Sequence, residues 1–197
     1  NLFIAIKGKN HDGHFFAKEA LEKKANYCVV QKNIKKLDKS KIIKCPNTKF
    51  FLNKLAVLKR NRVNIKAIAI TGSSGKTTLK TLIGKTLNEY RKTYFSQKSY
   101  NNHIGVPLSL SNLENDHKYG VFEIGMSNKG EIQRLSSLVK PDIAIITNIG
   151  EAHIENFDNL NGIAKAKSEI IENINEGGYL ILNRDDKFFN YFLKLAK

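Results

Sequence analysis

The spacing of apolar and polar positions changes character partway along the chain. At the start it is short and interrupted. The run Leu2 to Ile6 suits a short buried strand, and Gly8, Asn10, Asp12 and Gly13 are turn formers. Phe16, Ala20, Leu21 and Lys24 then fall at helical spacing, and "NYCVV" reads as a second strand. Gln31 to Lys49, rich in Lys and Asn and containing Pro46, reads as loop with one short strand in "KIIKC". "FFLNKLAVLKRNRV" predicts a helix, apolar at Phe51, Leu55 and Leu58, with basic residues toward the end that the helix dipole favours. A domain boundary is expected near Asn64, dividing the chain into 1–63 and 64–197.

Beyond that point the pattern becomes regular. Strand "IKAIAIT" leads to a helix from Thr77 with Leu79, Leu82, Ile83 and Leu87 on one stripe. Strand "TYFS", a polar loop and strand "YGVFEIG" follow; then come helix "GEIQRLSSLV", strand "DIAIITN", helix "NGIAKAKSEIIENI" and strand "GYLILN". Strands alternating with helices predict an α/β fold, a mostly parallel sheet with helices on both faces. In such a sheet ligands sit outside the carboxyl ends of the strands. Three of these strands end in "TGSSGKTT", "EIGMSNKGE" and "TNIGEAH", which brings Lys76, Glu123 and His153 toward one edge.

Composition changes this picture little. The 197 residues are 41% hydrophobic and 26% charged, and no apolar run approaches the roughly 18 residues of a membrane helix, so a soluble protein is expected. The first residue is Asn1 rather than Met, and the opening run is too short for a secretory signal. Cys28 and Cys45 lack metal-ligand spacing, and Cys28 in "YCVV" reads as a reduced core thiol of a cytoplasmic protein. The net charge of +15 raises the question of nucleic acid, but the lysines are spread along the chain and few of the basic residues are arginine. Solvated lysine faces that attract small polyanions fit better.

The chemistry concentrates in four segments. Gly72 and Gly75 allow the loop "TGSSGKTT" to turn successive amides toward phosphate oxygens at a helix N-terminus, with Lys76 at the terminal phosphates and the Thr77 hydroxyl at magnesium. Ile70 stands where the usual pattern has its first glycine, so a chance turn ahead of a helix is the competing reading. Glu123 ends an apolar strand, as either a magnesium ligand or an edge-exposed acid. Lys167 shares a helical stripe with Ile163, Ile170, Ile171 and Ile174, whereas Lys165, Ser168, Glu169 and Glu172 lie largely elsewhere. An inward lysine either pairs with an acid or is aimed at the phosphate-transfer site. His153 is either a solvent-facing loop residue or part of the strand-end cluster.

The segments "AIAITGSSGKTT", "YNNHIGVPLSL", "EIGMSNKGEI", "TNIGEAHIENF" and "AKAKSEI", in this order and spacing, resemble the ATP-dependent Mur ligases of peptidoglycan synthesis. The asparagine pair and the Glu123 segment resemble the branch that adds D-alanyl-D-alanine to UDP-N-acetylmuramoyl-tripeptide. The neighbouring branch usually follows the acid with Ser-Ser-His. "LFIAIKGKNHDGHFF" resembles the family's UDP-binding domain. The resemblance implies a partial UDP-binding domain over 1–63 and a partial P-loop central domain over 64–197.

It also implies a bacterial cytoplasmic enzyme using ATP and Mg2+, with no nucleic acid partner and no membrane insertion. Thr71, Gly72, Ser73, Ser74, Gly75, Lys76, Thr77 and Thr78 would hold the ATP phosphates, and Thr77 and Glu123 one magnesium ion. His153 would bind a second magnesium, and Lys167 corresponds to a lysine that is carbamylated in related ligases. Asn101, Asn102, Thr147 and Asn148 would approach ATP or the muramoyl peptide, and Asp12, Gly13 and His14 would shape the uridine diphosphate end. Ser99 departs from the asparagine common in the family. The chain is expected to be a fragment that does not ligate alone, since it starts inside the UDP-binding domain and stops before the adenine-binding part. Other readings are a ligase of the same type with a different acceptor, a folylpolyglutamate synthase relative, and a basic nucleic-acid-binding ATPase.

Overall fold

Period-two alternation along "KAIAIT" explains the layering of the larger part of the molecule. In the computed structural model, which describes residues 1–34, 37–152 and 154–196, two compact units are formed, Asn1–Leu55 and Ala56–Lys197.

The first unit contains β1 (Leu2–Ile4), α1 (Ala17–Glu22), β2 (Tyr27–Val30) and β3 (Ile42–Lys44). The strands form a parallel sheet in the order β1-β2-β3. Ala5, Ala17, Cys28 and Val30 are buried at its centre with Leu21 and Ile42 packed against them. Cys28 is a free, buried thiol whose pKa is raised by burial. Helix α2 (Thr48–Arg62) runs from this unit into the next. It buries Leu52 and Ala56 instead of the expected stripe, and Leu58 is exposed. The segment is apolar on more than one face, so periodicity alone did not select the buried one.

The second unit continues with β4 (Lys66–Thr71), α3 (Lys76–Asn88), β5 (Thr93–Phe95), α4 (Gly105–Ser111), β6 (Tyr119–Glu123), α5 (Glu131–Val139), β7 (Ile143–Ile146), α6 (Leu160–Ser168), β8 (Tyr179–Leu182) and α7 (Phe189–Leu195). Its sheet is parallel throughout, in the order β5-β6-β4-β7-β8. The chain leaves β4 toward one edge and later crosses to the other, so the strand order reverses beside β4, where crevices form in doubly wound sheets. Ile68, Ile70, Val121 and Ile145 pack beneath Leu79, Ile83 and Leu87 of α3. On the opposite face Ala67, Ala69, Phe122 and Ala144 join Leu110, Leu135 and Ile163 from α4, α5 and α6.

Three expectations need correction. The polar loop before β6 contains α4, whose Pro107 lies in the first turn, where a missing amide hydrogen costs no helical bond. The long helix expected from Asn161 ends at Ser168, with a short 3-10 turn at Ile171–Asn173. In α3, Leu82 is exposed, while Lys80 and Gly84 occupy the buried positions.

Gly84 is required by a close approach. A Cβ there would lie 2.3 Å from Cγ of Phe95 and 2.8 Å from its Cβ. Helix propensity alone favours Gly84→Ala by about 1 kcal/mol. The clash is expected to reverse the sign and destabilise the protein by about 1–3 kcal/mol. In urea unfolding the midpoint should fall with little change in slope; a midpoint at or above that of the parent would show that Phe95 yields freely.

Candidate active site

The phosphate loop is held open by neighbouring backbone as much as by its own turns. Gly72 has φ 144°, and a Cβ on it would stand 1.9 Å from Thr147 Oγ1. Gly75, with φ 78°, forms the N-cap of α3. The loop following β7 laces the other side. Thr147 Oγ1 donates to the Ser74 carbonyl at 2.7 Å, and Asn148 accepts from the Ser73 amide through its carbonyl (2.9 Å) and from the Ser74 amide through Oδ1 (3.0 Å). Ser73 Oγ bridges the Gly150 carbonyl and amide. Asp186 in turn accepts from the Ile149 amide at 2.8 Å. Thr147 and Asn148 therefore spend their side chains on loop geometry, and the Ser73 and Ser74 amides are already engaged. The first-turn amides of α3, from Lys76 to Thr78, have no partner one turn back, as in any helix, and their positive end faces the loop.

Lys76 reaches back along the loop, its Nζ donating to the Gly72 carbonyl at 2.7 Å and the Ser73 carbonyl at 3.2 Å. Burial lowers its pKa, and the nearby Glu123 charge partly offsets that. Glu123 falls on the α3 side of the sheet because Val121, two residues earlier, does so. It is 2% exposed, so the edge-exposed reading is excluded. Thr77 Oγ1 donates to Glu123 Oε2 at 2.8 Å, and Asn101 Nδ2 to Oε1 at 2.8 Å. Ser99 Oγ stands 2.9 Å from Thr77 Oγ1, and since the Thr77 proton is committed to Glu123, Ser99 is the donor. The expected family asparagine is thus replaced by a hydroxyl that still contacts the site.

Thr77 Oγ1 and Glu123 Oε2 suit a hard divalent cation. Both are oxygens, and adjacent ligands of an octahedron with bonds of about 2.1 Å stand about 3 Å apart, close to the 2.8 Å separating these two.

A cavity of about 280 Å3 opens beside this pair, lined among others by Lys76, Asn101, Gly125, Ser127, Glu131 and Lys167. Lys167 is 2% exposed, as its stripe predicted, and no hydrogen bond to its ammonium group is found among the described residues. Burial, reinforced by the positive charge of Lys76, pulls its pKa down to about 7. Glu169 was expected to face elsewhere but is buried: its carboxylate accepts from the Gly130 amide at 2.8 Å and the Gln133 amide at 3.1 Å. It caps α5 and ties the end of α6 to the cavity wall. Asn102 Oδ1 accepts the Ile104 and Gly105 amides, starting α4 beside Asn101. His153 lies outside the described residues.

In the first unit, Asp12, Gly13 and His14 form a local brace. A Cβ on Gly13 would lie 2.8 Å from the Ile6 nitrogen. His14 Nε2 accepts from the Gln31 amide at 2.9 Å, which leaves its ring proton on Nδ1, facing Asp12. Lys32, and then His14, hold the Asp12 carboxyl well below the usual carboxylate range. Gln31 lines a separate cavity of about 410 Å3 together with Lys7, Gly8, Lys9, Asn47 and Lys49. Those lysines were not singled out by sequence, because nothing distinguishes them from the many solvated ones.

Comparison with known proteins gives the family of the chain. The family model for the Mur ligase middle domain matches residues 70–197. A UDP-N-acetylmuramoyl-tripeptide–D-alanyl-D-alanine ligase from Rickettsia prowazekii (strain Madrid E) is 39% identical over 197 residues, covering 100% of this chain and 44% of the relative. The enzyme of that name from Escherichia coli (strain K12) is 36% identical, covering 94% and 40%. Among solved structures, MurF from Acinetobacter baumannii superposes with a TM-score of 0.86 at 34% identity, over 100% of this chain and 43% of that one. MurF ligase from Thermotoga maritima in complex with ADP gives 0.82 at 30% identity, over 100% and 45%. The chain thus spans less than half the length of these relatives. The phosphate loop, Glu123 and Lys167 all fall within the matched stretch, and the chain belongs to the Mur ligase family.

Proposed function

We propose that this chain supplies the phosphate- and cation-binding part of an ATP-dependent ligase that joins D-alanyl-D-alanine to UDP-N-acetylmuramoyl-tripeptide in peptidoglycan synthesis. The observation that carries the reading is the meeting of Thr77 and Glu123 at 2.8 Å beside a cavity lined by Lys76 and Lys167. Strand ends, loop and inward lysine converge there from separate segments of the sequence.

In this reading the tripeptide's terminal carboxylate attacks the γ-phosphorus of ATP, the bond to the ADP oxygen breaks, and an acyl phosphate forms. The amine of D-alanyl-D-alanine then attacks the acyl carbon, inorganic phosphate leaves with the C–O electron pair, and the amine gives up a proton. Lys76 and the first-turn amides of α3 hold the phosphates and offset their charge. Thr77 and Glu123 hold magnesium, which draws charge from the transferring phosphoryl group when bound. His153 is assigned a second magnesium on family resemblance alone. Asn101 and Asn102 form the wall that meets ATP or the peptide, while Thr147 and Asn148 act through the loop they lace. The braced Asp12, Gly13 and His14 keep Gln31 against a lysine-lined cavity whose charge suits the uridine diphosphate of the substrate. Cytoplasmic location belongs to the same reading; among the described residues no helix is long and apolar enough to cross a membrane.

Lys167 is proposed to carry a carbamate. With a pKa of about 7, the neutral amine that attacks carbon dioxide makes up roughly nine-tenths of the population at pH 8 and one-tenth at pH 6. The carbamate would place a negative group opposite Lys76.

Three outcomes are expected. With the full-length protein, ATP and the UDP-linked tripeptide, phosphate release matched by amide formation should require D-alanyl-D-alanine and should not occur with diaminopimelate, lysine or glutamate. Lys76→Ala and Glu123→Gln should each lower kcat by about 100-fold or more; a different acceptor, or full activity in either variant, would overturn the assignment. With 13C-labelled bicarbonate, a carbamate resonance should appear at pH 8, weaken as the pH falls through 7, and be absent from Lys167→Arg. A resonance unchanged in Lys167→Arg would remove the modification from this residue.

A further inference from the structure

Lys80 has no part in the chemistry assigned above, yet its side chain is fully buried. It sits on α3 one turn beyond Lys76 and one turn before Gly84, on the face turned to the sheet. Three oxygens surround its ammonium group: the Lys98 carbonyl at 2.8 Å, Ser96 Oγ at 3.2 Å and Glu123 Oε2 at 3.5 Å. Ser96 Oγ also donates to the Lys98 carbonyl at 2.8 Å, closing the cluster. The next residue, Ser99, donates to Thr77.

We propose that Lys80 is a positioning residue for the magnesium site. It holds the same Glu123 oxygen that Thr77 contacts and fixes the 96–99 segment that places Ser99 against Thr77. Asn101 restrains the other carboxylate oxygen. The carboxylate is thus pinned from two directions, and Oε2 is presented beside Thr77 Oγ1 before any cation arrives. This rests on the reading of Thr77 and Glu123 as the cation's ligands.

Two effects of Lys80 oppose each other, and their signs separate the hypotheses. A lysine that acted only as a nearby positive charge would repel the cation, and removing it would tighten binding. A lysine that aims the oxygen would, when removed, loosen binding.

The test measures Mn2+ binding to the full-length protein in the presence of ADP, by the electron paramagnetic resonance of free Mn2+, together with ADP affinity in EDTA. Lys80→Met is expected to weaken Mn2+ binding about tenfold, as loss of an outer-shell partner does, while metal-free ADP affinity stays within about twofold. Lys80→Arg should recover most of the loss. Unchanged or tighter Mn2+ binding in Lys80→Met overturns the proposal, as does an equal loss of metal-free ADP affinity, which marks general damage to the loop. Should Lys80→Met fail to fold, Ser96→Ala, which removes one of the three oxygens, carries the test: about threefold weaker Mn2+ binding supports the proposal, and no change overturns it. If the parent protein binds ADP but no Mn2+ with it, the cation assignment falls and this inference falls with it; if the parent binds both and Lys80→Met is unaltered, only the inference falls.

Discussion

A carboxylate buried at the end of an apolar strand is the constraint on which this site depends. Removing Glu123 from water costs several kcal/mol, and an unpartnered carboxylate in that position would leave the fold severely weakened. The structure offsets the cost with three donors from two directions: Thr77 and Lys80 on α3 and Asn101 ahead of α4. Together these contacts constrain several elements. Strand β6 must hold its register, because a one-residue slip would turn Glu123 toward the opposite layer. Helix α3 must present Thr77 and Lys80 on one face, and their three-residue spacing does so. Asn101 can reach only because Gly125 is small; a Cβ there would lie 3.0 Å from its Cγ.

The same economy governs the phosphate loop. A flexible glycine-serine turn would have to be ordered by each nucleotide that bound, at roughly 1–2 kcal/mol per residue. Here the ordering is already supplied by the loop after β7, through Thr147, Asn148 and Gly150, and that loop is held by Asp186. The ends of β4 and β7 are adjacent strands in register, Thr71 opposite Ile146, so the two loops emerge side by side. Preorganised donors act on a developing charge without reorganising first, which is where electrostatic catalysis gains most. Glycine at position 72 is what permits that contact, since any side chain would displace Thr147.

Much of this was legible in the sequence, and what was not has identifiable causes. The strands of the larger unit announced themselves because parallel, doubly covered strands are apolar runs bounded by polar loops. The inward direction of Lys167 followed from its isoleucine neighbours. Helix α4 was missed because its segment reads whole as a polar loop, although its proline is compatible with a first turn. Leu82 was assigned inward because leucine is the apolar choice on a stripe, but the inner face of α3 carries Leu79, Ile83 and Leu87 with Lys80 and Gly84 at its fully buried positions, where partners outside the helix decide. Glu169 was placed outward for the same reason; its two amide donors come from α5, distant in sequence and invisible to periodicity. A lysine four residues after the loop lysine and four before a glycine was the available signal for Lys80. It needed the position of Glu123 to be interpreted.

Lys76 and Lys80 are separated by one helical turn, yet the structure places them in opposite environments. Lys76 lies at the mouth, partly wet, and among the described residues its Nζ hydrogen-bonds to carbonyl oxygens, which under the proposed function a phosphate can replace without leaving a charge uncompensated. Lys80 lies beneath, enclosed on all sides, and contacts a carboxylate that cannot be exchanged. A cation in reach of solvent can move to a ligand at small cost, whereas a buried ion pair loses far more when either partner moves. Burial, rather than residue type, therefore decides which lysine is free to move to a ligand. Lys167 is a third case: it is as buried as Glu123 but makes no ion pair with a carboxylate among the described residues, so its charge is the least supported of the three. That imbalance is relieved either by losing the proton or by gaining an anion, and both routes lead toward the cavity it shares with Lys76.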